Sequence, residues 1–336
     1  MIHRTLATWQ SLSWQEELSQ LVTDPRELLE RLELDPALLA KAELAHKAFP
    51  LRATQSYVNR IKVGDPNDPL LKQILPIGAE FDAPSGYSHS PLQEDNFTKT
   101  KGLIHKYHGR VLLVAASQCA INCRYCFRRH FDYQDNTPKR QEWQDAFDYI
   151  RADHSIEEVI LSGGDPLAIS DKQIAWLIEA LANIPHVQRL RIHTRLPIVA
   201  PARVTDSLLD AVHHPRLQTV MVVHCNHPQE IDDEVRTGLL KLRDSNISML
   251  NQTVLLKGIN DHIDVLTALS KQLFSSGVLP YYLHLLDAVI GAAHFEVKHS
   301  EAVSLSQQML MCLPGYLVPK LVREVPNAAS KTPIYS

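Results

Sequence analysis

Six short β-branched runs recur at intervals of roughly 30 residues. They are VLLVAAS (111–117), EEVILSG (157–163), VQRLRIHT (187–194), LQTVMVVH (217–224), ISMLNQTVLL (247–256) and LPYYLHLL (279–286). Helical stretches such as DKQIAWLIEALANI and EIDDEVRTGLLKLRDSN separate them. Strands joined by crossovers of this length pair in parallel, each followed by a helix. Six such units are too few for an eight-fold barrel. The pattern therefore predicts an α/β fold, a partial (β/α)6 barrel with function at the C-terminal ends of its strands.

The residues before the barrel have a different texture. SWQEELSQLV and DPRELLERLELDPALLAKAELAHKAF carry apolar residues at helical spacing, and Asp24-Pro25 and Asp35-Pro36 predict capped helix starts. The Pro-, Gly- and Asp-rich stretch VGDPNDPLLKQILPIGAEFDAPSGYSHSPLQEDN reads as a connection. Three regions are expected: helices and connection over 1–100, barrel over 101–310, and a C-terminal segment over 311–336.

The chain has 336 residues and a net charge of −4, which gives no global basic signature for nucleic acid. It has no apolar run of about 18 residues, so no membrane span is expected. MIHRTLATWQSLSWQEELSQ has no apolar core of the signal-peptide kind. The five cysteines, an odd number with three clustered, do not suggest a disulfide framework. A reducing cytoplasm is the expected location, with Cys225 and Cys312 as buried apolar-like thiols.

The clustered thiols, Cys119, Cys123 and Cys126 in CAINCRYC, follow directly after the first predicted strand. A structural zinc site wants four ligands, and His130 is near enough in sequence to be the fourth. An iron–sulfur cluster is normally held by four thiolates. One held by three keeps an open iron that can bind a small molecule. After the second predicted strand comes LSGGDPL, where Gly163 and Gly164 would let another group approach the backbone.

C-x3-C-x2-C with Tyr125 before its last cysteine resembles the radical S-adenosylmethionine (SAM) enzymes. Their three cysteines hold a [4Fe–4S] cluster whose open iron takes the methionyl end of SAM. The likeness extends from about residue 95 to the C-terminus and is more specific to the lysine 2,3-aminomutases. It rests on HKYHGRVLLVAASQCAINCRYCFRRHF, ILSGGDPL, HCNHPQEI, NQTVLLKGIND, LLDAVIGAAHF and SKTPI. That family also uses pyridoxal 5′-phosphate (PLP).

The resemblance implies roles residue by residue. Lys331 in NAASKTPI matches the PLP Schiff-base lysine, although Ala328, Ala329 and Ser330 replace a glycine run. Lys106, Tyr107 and Arg110, placed just before the first strand, match contacts to the PLP phosphate and ring, with Lys106 where the family has Arg. Gly163, Gly164, Asp165, His224 and Gln252 match the SAM site. Arg128 matches the fork that grips the substrate carboxylate. Asp287 and Glu324 match two carboxylates for the substrate side-chain ammonium, with Glu324 in place of Asp.

The implied activity is an isomerase that converts L-lysine to β-lysine, with a flavodoxin- or ferredoxin-type electron donor. Free-lysine enzymes of the family carry a further C-terminal extension, whereas five residues follow Lys331 here. This resembles the short bacterial branch that makes (R)-β-lysine for elongation factor P, attached by a lysyl-tRNA-synthetase-like ligase. A free-lysine aminomutase of catabolism or osmolyte synthesis, and a zinc-stabilised binding protein, are the alternatives.

Overall fold

The computed structural model describes residues 13–335. Residues 1–12, read above for a signal core, lie outside them. Ten strands form one sheet in chain order. They are β1 (Thr98–Thr100), β2 (Leu103–Tyr107), β3 (Arg110–Ala116), β4 (Glu158–Gly163), β5 (Arg189–Thr194), β6 (Gln218–His224), β7 (Ser248–Val254), β8 (Leu279–His284), β9 (Lys320–Arg323) and β10 (Thr332–Pro333).

The six predicted strands are β3 to β8, each within a few residues of its expected span. Neighbours from β3 to β9 pair in parallel, so β9 adds a seventh parallel strand after helix His299–Cys312. β1 and β2 extend one edge antiparallel, and β10 the other. These four strands are absent from the sequence reading. One consequence is a correction: Lys106 and Tyr107 lie on β2 and Arg110 opens β3, rather than preceding the first strand. Gln252 lies inside β7, two residues before its end.

The barrel forms because its strands are apolar enough to be covered on both faces. Helix Asp171–Ala182 shows how the cover is made. Ser170 caps it by accepting from the Gln173 N–H, and Ile174, Leu177, Ile178 and Leu181 form one buried stripe. Each such side chain contributes about 1.5–3 kcal/mol. Asp232 and Thr205 cap the helices before β7 and β6 in the same way.

The N-terminal helices share this core. Leu28, Tyr57 and Leu70 pack in one continuous cluster with Leu113 of β3 and Val159 of β4. Asp24 caps a helix and Asp35 a 3-10 turn, each accepting at 2.8 Å from the N–H two residues on, as their Asp-Pro pairs predict. Among the described residues no helix is long and apolar enough to cross a membrane. Cys225 is buried as expected, but Cys312 is exposed. It is the last residue of its helix, beside the exposed Met311, so its apolar character finds no core to join.

Candidate active site

The C-terminal ends of the strands surround a cavity of about 520 Å³. Every predicted site residue lines it: Cys119, Cys123, Cys126, Lys106, Tyr107, Arg110, Arg128, Gly163, Gly164, Asp165, His224, Gln252, Asp287, Glu324 and Lys331. They come from segments as much as 225 residues apart in the chain (331 − 106). The parallel topology accounts for most of the convergence, because β3 to β9 deliver their C-terminal ends to the same face, while Lys106, Tyr107 and Arg110 reach the cavity from the antiparallel β2–β3 hairpin.

The three thiols occupy one wall. Burial pushes the Cys126 thiol up to about 11 and that of Cys119 well above its ordinary value, with the neighbouring cysteines adding to both rises. Thiols this buried gain little as free thiolates, and a bound cation is what offsets the penalty. His130 packs edge-on against His89 and shares a hydrogen bond with the Ile290 carbonyl.

Gly163 and Gly164 serve the cysteine loop directly. A Cβ on Gly164 would meet the Gln118 carbonyl oxygen at 2.4 Å, and one on Gly163 would meet that of Ala116 at 2.7 Å. Gly163 also has φ +111°, a conformation that favours glycine. The paired glycines therefore let β4 end against the backbone that carries Cys119. Asp165 is fully engaged by the protein. Its oxygens accept from the Leu167, Arg195 and Leu196 N–H groups and the Thr194 hydroxyl, at 2.6–3.0 Å.

A second cluster joins the two edges of the sheet. Glu324 accepts from Lys106 Nζ and Lys331 Nζ at 2.8 Å each, and from the Tyr107 hydroxyl. Burial opposes its charge, but Lys331, Lys106 and Tyr107 outweigh burial and hold Glu324 down at about 2. Asp287 has no such partner among the described residues; burial pushes it up to about 7 against the pull of Lys331. Arg110 stacks its guanidinium 4.8 Å from the Tyr107 ring centre and makes no ion pair among the described residues. Lys331 Nζ lies 5.8 Å from the ring centre of Tyr282. A lysine beside a cation-bearing, aromatic wall fits a phosphate-bearing ring, and the donor set fits PLP.

Arg128 is buried and does not point at open space. Its Nε and Nη2 donate to the two oxygens of Glu94 at 2.7 Å, and Nη1 donates to Ser162 Oγ at 3.1 Å. The sequence reading includes His224 but lacks Glu94, Ser162, Arg195 and two further strand-end histidines, His193 and His284. His193 and His224, 3.4 Å apart, and His284 all face the cavity. Burial lowers His224 to about 4 and holds His193 and His284 well below their ordinary value, so all three are neutral near pH 7. His284 Nε2 and Gln252 Oε1 are buried without a partner among the described residues. Each costs about 1–3 kcal/mol until a bound group meets it. Position at a strand's C-terminal end was the signal that could have found Ser162, His193, Arg195 and His284.

Residues 113–267 match the radical SAM superfamily. Over 320 residues, 95% of each chain, the protein is 48% identical to an L-lysine 2,3-aminomutase of Haemophilus influenzae. It is 46% identical to that of Escherichia coli, over 98% of this chain and 96% of that one. A longer L-lysine 2,3-aminomutase, from Clostridium subterminale, is 35% identical across 86% of this chain and 69% of its own length. Enzymes of this kind are isomerases that use a [4Fe–4S] cluster, SAM and PLP, the three groups the sequence leads one to expect. The chain belongs to the radical SAM L-lysine 2,3-aminomutase family.

Proposed function

We propose that this cavity converts L-α-lysine to (R)-β-lysine, and that the product serves the modification of elongation factor P. The observation that carries the first part is the convergence on one cavity of three thiols, a lysine, a guanidinium and two buried carboxylates. When bound, the cluster with SAM supplies a hydrogen-abstracting carbon radical, and PLP supplies the carbonyl that carries the migrating nitrogen.

The chain's own residues do the placing. Cys119, Cys123 and Cys126 hold the cluster. Gly163 and Gly164 fix the loop beside it, Asp165 fixes the end of β5, and His224 and Gln252 line the SAM side. Gln252 brings an unmet acceptor for a donor group there. Lys331 bonds PLP, while Lys106, Tyr107 and Arg110 face its phosphate and ring. Arg128 takes the substrate carboxylate on its Nη1 side, where Ser162 is its partner, away from the edge held by Glu94. Asp287 takes the side-chain ammonium. Glu324 would join it through the oxygen that meets Lys331 here. The neutral histidines and aromatic rings keep the reacting carbons away from bulk water.

Resemblance to the short bacterial branch supports the link to translation, and with it the lysyl-tRNA-synthetase-like ligase as the next enzyme. Free thiols and an oxygen-sensitive cluster fit a cytoplasmic setting with a flavodoxin- or ferredoxin-type donor. Anaerobic incubation with SAM, PLP, reductant and L-lysine, followed by chiral product analysis, tests the reaction. Formation of (R)-β-lysine is the expected result. The S product, or faster turnover of another amino acid, overturns it. A deletion strain should lose β-lysylated elongation factor P, and unchanged modification would remove the translational role.

A further inference from the structure

Arg195 follows β5 and turns its guanidinium beneath the cysteine loop, where it is 5% exposed. Nη1 lies 2.6 Å from Cys123 Sγ and 2.6 Å from the Tyr125 hydroxyl. Nη2 donates to Gln73 Oε1 and Glu230 Oε2 at 2.9 Å each. The scaffold behind it is closed. Glu230 is completely buried, and its other oxygen accepts from Gln73 Nε2 and from the N–H groups of Asn226 and His227 at 3.0–3.2 Å. Asn226 Nδ2 donates to the Tyr125 hydroxyl at 2.6 Å. Asp165 fixes the main chain of Arg195 through its N–H and that of Leu196.

Such an arrangement is a poor way to gain stability. Burying an ion pair costs several kcal/mol per ion, and well-packed apolar residues often do as well. The network instead fixes a direction. It holds a cation that does not lose its proton, with an N–H donor, against the sulfur of one cysteine of the triplet. Hydrogen bonds to ligand sulfurs and local charge set the potential of iron–sulfur clusters.

We propose that Arg195 is a positioning residue for the cluster: it orients the Cys123 thiolate and raises the cluster's reduction potential. The proposal rests on the reading that Cys119, Cys123 and Cys126 hold a [4Fe–4S] cluster. Reduction adds one electron, from dithionite or a flavodoxin-type donor, and makes the cluster more negative. A fixed positive charge at a ligand sulfur stabilises that form. Glu230 partly offsets the charge from the far side.

The test is potentiometry of the full-length protein, reconstituted anaerobically with iron and sulfide and read by electron paramagnetic resonance. Iron content and circular dichroism are measured alongside. Arg195→Gln combined with Glu230→Gln removes both charges and leaves no lone buried ion. At the wild-type midpoint its ratio of reduced to oxidised cluster should fall about tenfold, a downward shift of about 59 mV for one electron. Glu230→Gln alone exposes the cluster to an uncompensated cation and should shift the midpoint upward. Opposite shifts from the two variants are not what a merely structural ion pair produces. A double variant with a full cluster and an unchanged midpoint overturns the proposal. If the double variant does not fold, Glu230→Gln decides, and an unchanged or lowered midpoint overturns it. A wild-type protein that binds no cluster refutes the underlying assignment instead.

Discussion

Arg128 and Glu94 meet fork to fork, with Nε and Nη2 each 2.7 Å from a different carboxylate oxygen. The guanidinium assigned to a substrate carboxylate thus already holds one of the protein's own. The pair is nearly buried, with 6% and 14% of the two side chains exposed, so breaking it leaves a charge short of its partner. Glu94→Gln should lower the stability of the ligand-free protein by about 3 kcal/mol. L-Lysine, which brings a carboxylate, should restore part of that. Thermal melts check both: the lysine-induced rise in Tm should be larger in the variant than in wild type. An equal or smaller rise would show that Arg128 does not receive the substrate carboxylate.

Asp287 gives the site a pH dependence. Its burial holds it at about 7, opposed by Lys331 and reinforced by Glu324 and Glu94. Between pH 6 and 8 it passes from neutral to anionic, and only the anion holds an ammonium strongly. The Kd for L-lysine should fall roughly tenfold across this window, the change expected when the ionised fraction rises from about a tenth to about nine-tenths. Asp287→Asn should flatten the dependence in calorimetric titrations. For the ligand-free fold the sign is opposite. A raised carboxyl keeps its proton in the folded state, so its contribution to stability declines as pH rises from the ordinary carboxylate range to about 7.

Glu324 behaves in the reverse sense. Lys331, Lys106 and Tyr107 keep it ionised down to about 2 against its burial. The stability it contributes is fully present above its ordinary value of 4.5 and is lost as pH falls toward 2. Glu324→Gln should weaken the protein at neutral pH and reduce its sensitivity to acid over that range, as followed by denaturation at several pH values. Lys331→Ala should abolish the PLP absorbance while leaving iron content unchanged. A retained absorbance would place the cofactor on another lysine.

The glycine pair makes a local prediction. At Gly164 a methyl group meets the backbone of Gln118, with oxygen, carbon and nitrogen all within 2.7 Å. Backbone does not yield as a side-chain end does, so Gly164→Ala should cost about 1–3 kcal/mol. It should also displace the loop beside Cys119. Iron per chain after reconstitution should drop with the Tm; a full iron load would separate the glycines from the cluster.

These residues also mark how far the sequence could be read. Strands β3 to β8 were legible because they recur at a regular spacing with helical stretches between them, even where the run alternates polar and apolar residues, as RLRIHT does in β5. β2 was not, since LIHKY mixes apolar and charged residues, although Gly102 and Gly109, both at φ +75°, punctuate it. β9 was not, because KLVR is short and gains its strand form by pairing with β8. Within the site, residue identities followed from motifs, but pairings did not. Nothing local to Arg128 indicates that Glu94, 34 residues earlier, will occupy its fork. Nothing near Lys331 indicates Lys106 as the neighbour that shares its carboxylate.

The contact between Lys106 of β2 and Glu324, which follows β9, has a mechanical consequence. The ladder of the sheet leaves β1 and β10 as its free edges. Between those edges the circumference is fastened by side chains such as this pair and by one short main-chain bridge, in which Ser88 bonds to Ala288 and Ile290. A closed ring of strands widens only by breaking a row of main-chain hydrogen bonds. Here one part of the closure is a clasp that substitution of a single carboxylate undoes, while the Ser88 bridge and the Arg129 bond to the Gly291 carbonyl remain. The aperture through which bulky cofactors must pass is thus set in part by the same Glu324 that partners Lys331.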